Sequence, residues 1–318
     1  MTADFLPTAS LEMLRKRAEL LARVRQFFAE RDFLEVETPL LSHDTVVDRH
    51  LDPIPVTLFA DPREPERGER MWLQTSPEFA MKRLLAAGAR AIFQICKAFR
   101  GGEAGTRHNP EFTMVEWYRV GDDYEGGMRL LTEFASSVLG SGPSERLTYR
   151  DAFVRFATID PFGPEANGEQ REREAAGFRD REAWLDYVLT SRIEPHLGLE
   201  HPTILHDYPA NQAALARIRE GEPPIAERFE LYVNGVELAN GYHELIDPTI
   251  LRQRNRASNA SRAADCKYTL PEKSRLLAAM DSGLPSCSGC ALGFDRLMMV
   301  ATEAESIQEV LAFPIDRA

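Results

Sequence analysis

The stretch FRGGEAGTRHNPEFTMVEWYR, from Phe99 to Arg119, carries a dense set of groups able to do chemistry. Gly101, Gly102 and Gly105 let a backbone come close to a ligand, while Arg100, Arg107 and His108 supply donors. That combination suits an anion, above all a phosphate, which guanidinium groups grip through two parallel hydrogen bonds. It is not a Walker loop, because GxxxxGK[ST] occurs nowhere in the chain and no GxGxxG follows a strand pattern. A second set lies in FELYVNGVELANGYHEL. Asn234-Gly235 sits there between two alternating apolar runs, the signature of a tight hairpin. Pairing Val233 with Val236 sets Tyr232 opposite Glu237 and Glu230 opposite Ala239, which makes Glu230 and Glu237 diagonal neighbours on one face. Two such carboxylates either sit on a wet sheet face or share a cation, and oxygen ligands of this kind suit Mg²⁺ carrying substrate phosphates. Regular alternation would turn Glu244 to the opposite face, so Asn240-Gly241 reads as a bulge that re-aims it.

Strand parity adds a third set. Phe112, Met114, Glu116 and Tyr118 share one face of a strand, with Thr113, Val115 and Trp117 on the other. A face carrying Glu and Tyr is either solvated or the lining of a site. Cys287 and Cys290 form a CxxC pair, but Cys96 and Cys266 stand far from it and from each other, so a second ligand pair for zinc is missing. The pair reads as small buried strand residues in a reducing compartment.

The elements that must hold these groups follow from periodicity. Ser10 is an N-cap, and Leu11, Leu14, Ala18, Leu21, Val24 and Phe28 recur at helical spacing, which predicts a helix to about Arg31. FLEVETPLL, broken by Pro39, is extended and leads into a loop rich in Asp, His and Pro. TSP before EFAMKRLLAAG starts a helix that Gly88 stops. Residues 90–100 and 111–119 form two antiparallel strands with the anion loop between them. A helix covers about 125–139. Residues 143–203 are a polar insertion or surface subdomain without evident chemistry. Strands return at 203–208 and 226–246, a helix covers about 271–282, and a glycine-rich strand runs into a closing helix. The order fits one α+β domain over residues 1–318 on a mostly antiparallel sheet.

Composition sets the outer limits. With 318 residues, 38 basic and 50 acidic side chains, the net charge is −12, which opposes a broad grip on phosphate backbones and stable nucleic-acid binding. MTADFLPTAS lacks the basic-then-apolar order of a signal peptide, and no apolar run reaches the ~18 residues of a membrane span. A cytoplasmic enzyme is the expectation.

Three segments, taken in order, resemble the class II aminoacyl-tRNA synthetases: RDFLEVETP the first motif, FRGGEAGTRHNPEFTMVEWY the second and GCALGFDRL the third. The likeness is closest to lysyl-tRNA synthetases and covers nearly the whole chain. Those enzymes carry an anticodon-binding domain ahead of this core, whereas the first helix here begins about ten residues in. The chain thus resembles the stand-alone paralogues that aminoacylate a lysine of elongation factor P. The resemblance implies activation of (R)-β-lysine, and more weakly α-lysine, with ATP and Mg²⁺, transfer to the ε-amine of the protein lysine, and a homodimer formed through the first motif. Charging of tRNA, or a silent regulatory paralogue, are the alternative readings.

Residue by residue, the resemblance matches Arg100 to the arginine on the α-phosphate and Arg296 to the third-motif arginine. Phe112 matches the aromatic stacked on adenine, and His108, Asn109, Leu238 and Gly293 match positions around the nucleotide. Glu230 and Glu237 match the Mg²⁺ pair. Ser76, Pro77 and Glu78 match the segment reading the amino group, and Tyr118 and Glu244 the residues holding the side-chain ammonium. Ser76 and Ala291 stand where lysyl-tRNA synthetases usually have alanine and glycine. Two departures remain: Gly102 replaces the usual second-motif Glu, with Glu103 the nearest acid, and Asp32 stands where glycine is common.

Overall fold

A computed structural model describes residues 5–318, so the first four positions of MTADFLPTAS lie outside the described residues. The chain begins with α1 (Leu11–Ala29), β1 (Leu34–Glu35), β2 (Leu41–Ser42), β3 (Pro55–Phe59), β4 (Gly68–Leu73), α2 (Glu78–Ala86), β5 (Ala91–Phe99) and β6 (Glu111–Val120). It continues through α3 (Tyr124–Leu139), β7 (Glu145–Thr148), α4 (Tyr149–Ala157), α5 (Asn167–Ala175), α6 (Arg181–Val188), β8 (Thr203–Pro209), β9 (Ile218–Arg219), β10 (Ile225–Val233) and β11 (Val236–His243). It closes with α7 (Pro248–Ala264), α8 (Arg275–Gly283), β12 (Cys287–Gly293) and α9 (Phe294–Thr302). This is an α+β architecture on mostly antiparallel strands, divided into two compact units: residues up to Asp123 with Glu244–Ala318, and Tyr124–His243.

In the first unit the strand order is β1-β5-β6-β12, with β1 parallel to β5 and the other pairs antiparallel. Ser10 caps α1, its hydroxyl accepting from the Met13 N–H at 3.1 Å. The three-and-four spacing of the sequence then buries Leu20, Val24, Phe27 and Phe28. Phe28 stacks on Phe93 at 4.5 Å and tilts against Trp117 at 5.3 Å. Helix α1 therefore covers the Trp117 face of the sheet and leaves the Glu116–Tyr118 face to other partners. Asp32, just past α1, has φ 58°, the left-handed conformation that explains why glycine is common there. Helix α2 starts after Pro77 and ends before Gly88, whose φ of 106° only glycine adopts readily.

Two parts of this unit are not visible in the periodicity. Strands β3 and β4 form a small antiparallel sheet with β2 where the sequence reads as loop. Helix α7 also goes unread, although Asp247-Pro248 is a strong start: the Asp247 carboxylate accepts from the Thr249 N–H at 2.7 Å. Apart from Leu251, its inward positions are polar. Asn259 exchanges hydrogen bonds with the backbone of Leu270, and Arg262 binds the carbonyls of Tyr268, Asp48 and Leu51.

In the second unit the order is β11-β10-β8-β7, with β9 against β10. Asn234 (φ 51°) and Gly235 (φ 69°) turn the β10–β11 hairpin, a pairing of left-handed residues that matches the strand twist. Val233 pairs with Val236 and Tyr232 with Glu237 as the sequence implies, but Glu230 pairs with Asn240 rather than Ala239. The extra residue is Leu238, so the bulge lies there and not at Asn240-Gly241. Gly241 is instead required by packing, since a Cβ on it would stand 2.3 Å from the Phe229 ring. The polar segment 143–203 supplies a true core of Tyr149, Phe153, Trp184, Val188 and Ile193, packed with Tyr208 and Tyr232. Helix α5 buries nothing, and it is laced by Arg173–Glu165 and Arg181–Glu169 ion pairs.

Candidate active site

Four segments of the first unit converge on the free face of β6. From α2 come Glu78 and, one turn on, Lys82, which share a face at a spacing of four. Strand β6 supplies Glu116 and Tyr118. Strand β12 lies antiparallel beside it, placing Gly289 opposite Tyr118 and Ala291 opposite Glu116. Glu244 is fixed by its own N–H, which donates to the Cys287 carbonyl at 3.0 Å. The Lys82 ammonium lies 2.5 Å from Glu78 Oε1 and 2.5 Å from Glu244 Oε2. Lys82 and Glu244 are each 1% exposed. Burial alone would lower the Lys82 pKa, but Glu244 and Glu78 outweigh it and raise it.

Glu116 completes the cluster. The Tyr118 hydroxyl donates to its Oε1 at 2.5 Å, while its Oε2 is buried with no hydrogen-bond partner among the described residues. Burial first, then the Glu78 charge, push the Glu116 pKa up to about 8. The Tyr118 hydroxyl is raised too, by burial and by Glu116. The cluster thus holds three carboxyl groups, one of them pushed towards its neutral form, and one resident cation. Gly289 makes the space: a Cβ there would sit 2.2 Å from the Tyr118 ring and 2.4 Å from Glu244 Oε1.

The raised Glu116 pKa has a stability consequence. The folded protein holds this proton more tightly than the unfolded chain, so stability present below the ordinary value of 4.5 is lost as pH rises through about 8. Glu116→Gln removes that titration. Its melting temperature should match the unaltered protein near about pH 5 and exceed it by several degrees near about pH 8.5. Melting curves across that range check this, and parallel curves would show that Glu116 ionises at an ordinary pH.

The expected amino-acid residues otherwise fall as follows. Ser76 is buried before α2, its hydroxyl accepting from the Glu78 N–H at 3.4 Å, and Pro77 occupies the N-cap. The structure brings Glu78, Tyr118, Glu244 and Ala291 onto one face of this unit, with Ser76 and Pro77 directly before Glu78 in the chain. Sequence reasoning misses Lys82 and Gly289, and leaves the burial of Glu116 open. The Glu78–Lys82 spacing was the available signal.

The anion loop lies between β5 and β6. The Arg100 guanidinium stands over the Phe112 ring at 5.0 Å. Its Nε is buried without a hydrogen-bond partner among the described residues, and Glu103 is 3.9 Å away. A half-buried guanidinium whose Nε–H lacks an acceptor fits a phosphate oxygen. Gly102 takes φ 80° in the turn. The Arg296 guanidinium approaches His108 Nε2 at 2.5 Å and binds the Arg107 carbonyl. Burial, then Arg296, lower the His108 pKa, so the ring accepts. Asn109 acts as a brace: its amide donates to the Glu111 carbonyl at 2.6 Å and its oxygen accepts from the Ile315 N–H at 2.9 Å. Gly293 caps α9 with Arg296 one turn inside. Asp295 accepts from the Thr113 N–H at 2.7 Å and pairs with Arg17 of α1 at 2.6 Å, tying α9 to β6.

In the second unit Glu230 is buried and saturated. It accepts from the hydroxyls of Tyr208 and Tyr232, from Arg228 at 2.5 Å and from Asn240 at 3.0 Å. Four donors fill a carboxylate's lone-pair positions, so this donor set does not fit a divalent ion as it stands. Glu237 pairs with Tyr232 across the hairpin, and Leu238 is buried at the bulge. Cys287 and Cys290 are buried and form no disulfide, and the described residues contain no metal-holding group of three or more His, Cys, Asp or Glu.

The family described as tRNA synthetases class II (D, K and N) matches residues 3–317. Curated relatives include the elongation factor P--(R)-beta-lysine ligases of Salmonella typhi and Salmonella paratyphi C (strain RKS4594). Each is 45% identical over 327 aligned positions, covering 100% of this chain and 99% of the relative.

Proposed function

From the premise that this chain belongs to the class II tRNA synthetases of the D, K and N group, we propose that it is an ATP-dependent ligase joining (R)-β-lysine to elongation factor P. α-Lysine is the weaker substrate. In the first half-reaction the amino-acid carboxylate attacks the α-phosphorus of ATP, the bond to the β-phosphate oxygen breaks, and pyrophosphate leaves. In the second, the deprotonated ε-amine of a lysine on elongation factor P attacks the acyl carbon, an amide forms, and AMP departs. The observation that carries this reading is the buried set of Glu78, Glu116 and Glu244 beside Tyr118. It offers a dicationic amino acid the carboxylates it requires in a desolvated pocket.

The roles follow the same reading. Arg100 meets the α-phosphate where charge grows during attack, and its partly unsatisfied guanidinium supports that. Phe112 and Arg296 take the two faces of adenine, while Glu103, His108, Asn109 and Gly293 shape the nucleotide surroundings; a nucleotide role for Leu238 rests on the resemblance alone. Ser76, Pro77 and Glu78 read the amino group, and Tyr118 and Glu244 the side-chain ammonium. Ala291, opposite Glu116, and Ser76 each alter the pocket by a methyl or hydroxyl. Such a change is worth ~1 to 3 kcal/mol, enough to reorder α- and β-lysine. Mg²⁺ at Glu230 and Glu237 rests on the resemblance alone. It would neutralise phosphate charge, and Glu230 would have to release one of its four donors. A homodimer through RDFLEVETP and a cytoplasmic setting complete the proposal. Among the described residues no helix is long and apolar enough to cross a membrane.

The test is intact-mass analysis of elongation factor P after incubation with this protein, ATP, Mg²⁺ and (R)-β-lysine, with bulk tRNA in parallel. One added lysyl unit on the protein and uncharged tRNA is the expected result. Charged tRNA with unmodified protein would overturn it in favour of a tRNA synthetase.

A further inference from the structure

A substrate ammonium and a resident ammonium compete for the same carboxylates in this pocket, and the resident one cannot leave. Lys82 is 1% exposed, sits one helical turn from Glu78 on a packed helix, and reaches both Glu78 and Glu244 at 2.5 Å. Its nitrogen also lies 5.8 Å from the centre of the Tyr118 ring. The ionisable groups around it are Glu78 from α2, Glu244 from the segment before α7, and Glu116 and Tyr118 from β6. Two buried carboxylates without a cation between them cannot both stay charged.

We propose that Lys82 is the fixed counter-ion of the amino-acid site, a positioning residue that balances one of the two carboxylate charges and holds Glu78 and Glu244 in place before substrate arrives. The pocket thereby presents one net negative charge rather than two, matched to the single net positive charge of a lysine isomer. Removing the cation while keeping the volume leaves two facing carboxylates, which relieve their repulsion by taking up a proton that substrate must then displace. This inference rests on the ligase reading for the identity of the substrate.

Lys82→Met keeps the chain length and apolar stem and removes the charge. Two readouts then move in opposite directions with pH. In lysine-dependent ATP–pyrophosphate exchange, KM for the amino acid should rise about tenfold or more near neutral pH and recover as pH increases, because the shared proton is lost. KM for ATP should stay within about twofold. The melting-temperature deficit against the unaltered protein should grow over the same pH rise, because the variant loses the stabilising proton. A packing role predicts deficits independent of pH in both, and that result would overturn the proposal. If Lys82→Met does not fold, calorimetry of lysine binding to the unaltered protein, in two buffers of different ionisation enthalpy near about pH 6.5, decides the matter. Release of at most about one proton, attributable to Glu116, is expected, and release of two or more would mean that Lys82 does not keep the pair charged. Absence of lysine-dependent exchange in the unaltered protein would refute the ligase reading instead.

Discussion

Gly289→Ala should abolish lysine use while leaving ATP binding nearly unchanged. The added methyl would lie 2.2 Å from the Tyr118 ring and 2.4 Å from Glu244 Oε1. Neither neighbour can retreat cheaply. Tyr118 is 3% exposed and tied to Glu116, and Glu244 is anchored at its backbone to Cys287 and at its carboxylate to Lys82. Overpacking of this kind costs about 1 to 3 kcal/mol of stability, which a large core tolerates. A pocket shifted by about 1 Å, by contrast, loses on the order of a hundredfold in rate. Pyrophosphate exchange should show kcat/KM for lysine reduced by about a hundredfold or more with KM for ATP within about twofold. Near-normal lysine kinetics would mean that Tyr118 and Glu244 do not wall the substrate pocket.

Glu244→Gln should produce a comparable loss by a different route. The substitution is nearly isosteric, so packing survives, but Lys82 loses one of its two anions and the substrate loses a charged acceptor. Truncating one member of a buried hydrogen-bonded charge pair costs about 2 to 5 kcal/mol, roughly thirtyfold to several thousandfold in kcat/KM. The loss should fall on the amino acid. KM for ATP, which the proposed roles assign to Arg100 and Phe112, should change little. Unchanged KM and kcat for (R)-β-lysine would remove Glu244 from the site.

The sequence was informative where local chemistry and fold agree. Ser10, the three-and-four spacing after it, the Asn234-Gly235 turn and the alternation of β6 all predict elements that form, because each is decided by near neighbours. Helix α7 is hidden in the sequence because its inward face is mostly polar: Asn259 and Arg262 are buried and held by backbone groups elsewhere in the unit and, for Arg262, by the Asp52 carboxylate, an arrangement no hydropathy period records. The bulge was expected at a glycine, but Gly241 is needed for the Phe229 ring, and the extra residue is Leu238. Lys82 was passed over for a related reason. It occupies a position where an apolar helix residue is expected, and only the arrival of Glu244 from a distant segment reveals why it is charged. Gly289 reads as an ordinary strand glycine until Tyr118 is seen opposite it.

The loop that carries Arg107 and His108 is held in part by residues synthesised long after it. The Ile307 N–H donates to the Thr106 carbonyl at 2.8 Å, and the Ile315 N–H donates to Asn109 Oδ1. Those two fixed points come into being only when the segment 307–315 has been translated. Until that segment emerges, the loop between β5 and β6 lacks both of these hydrogen bonds.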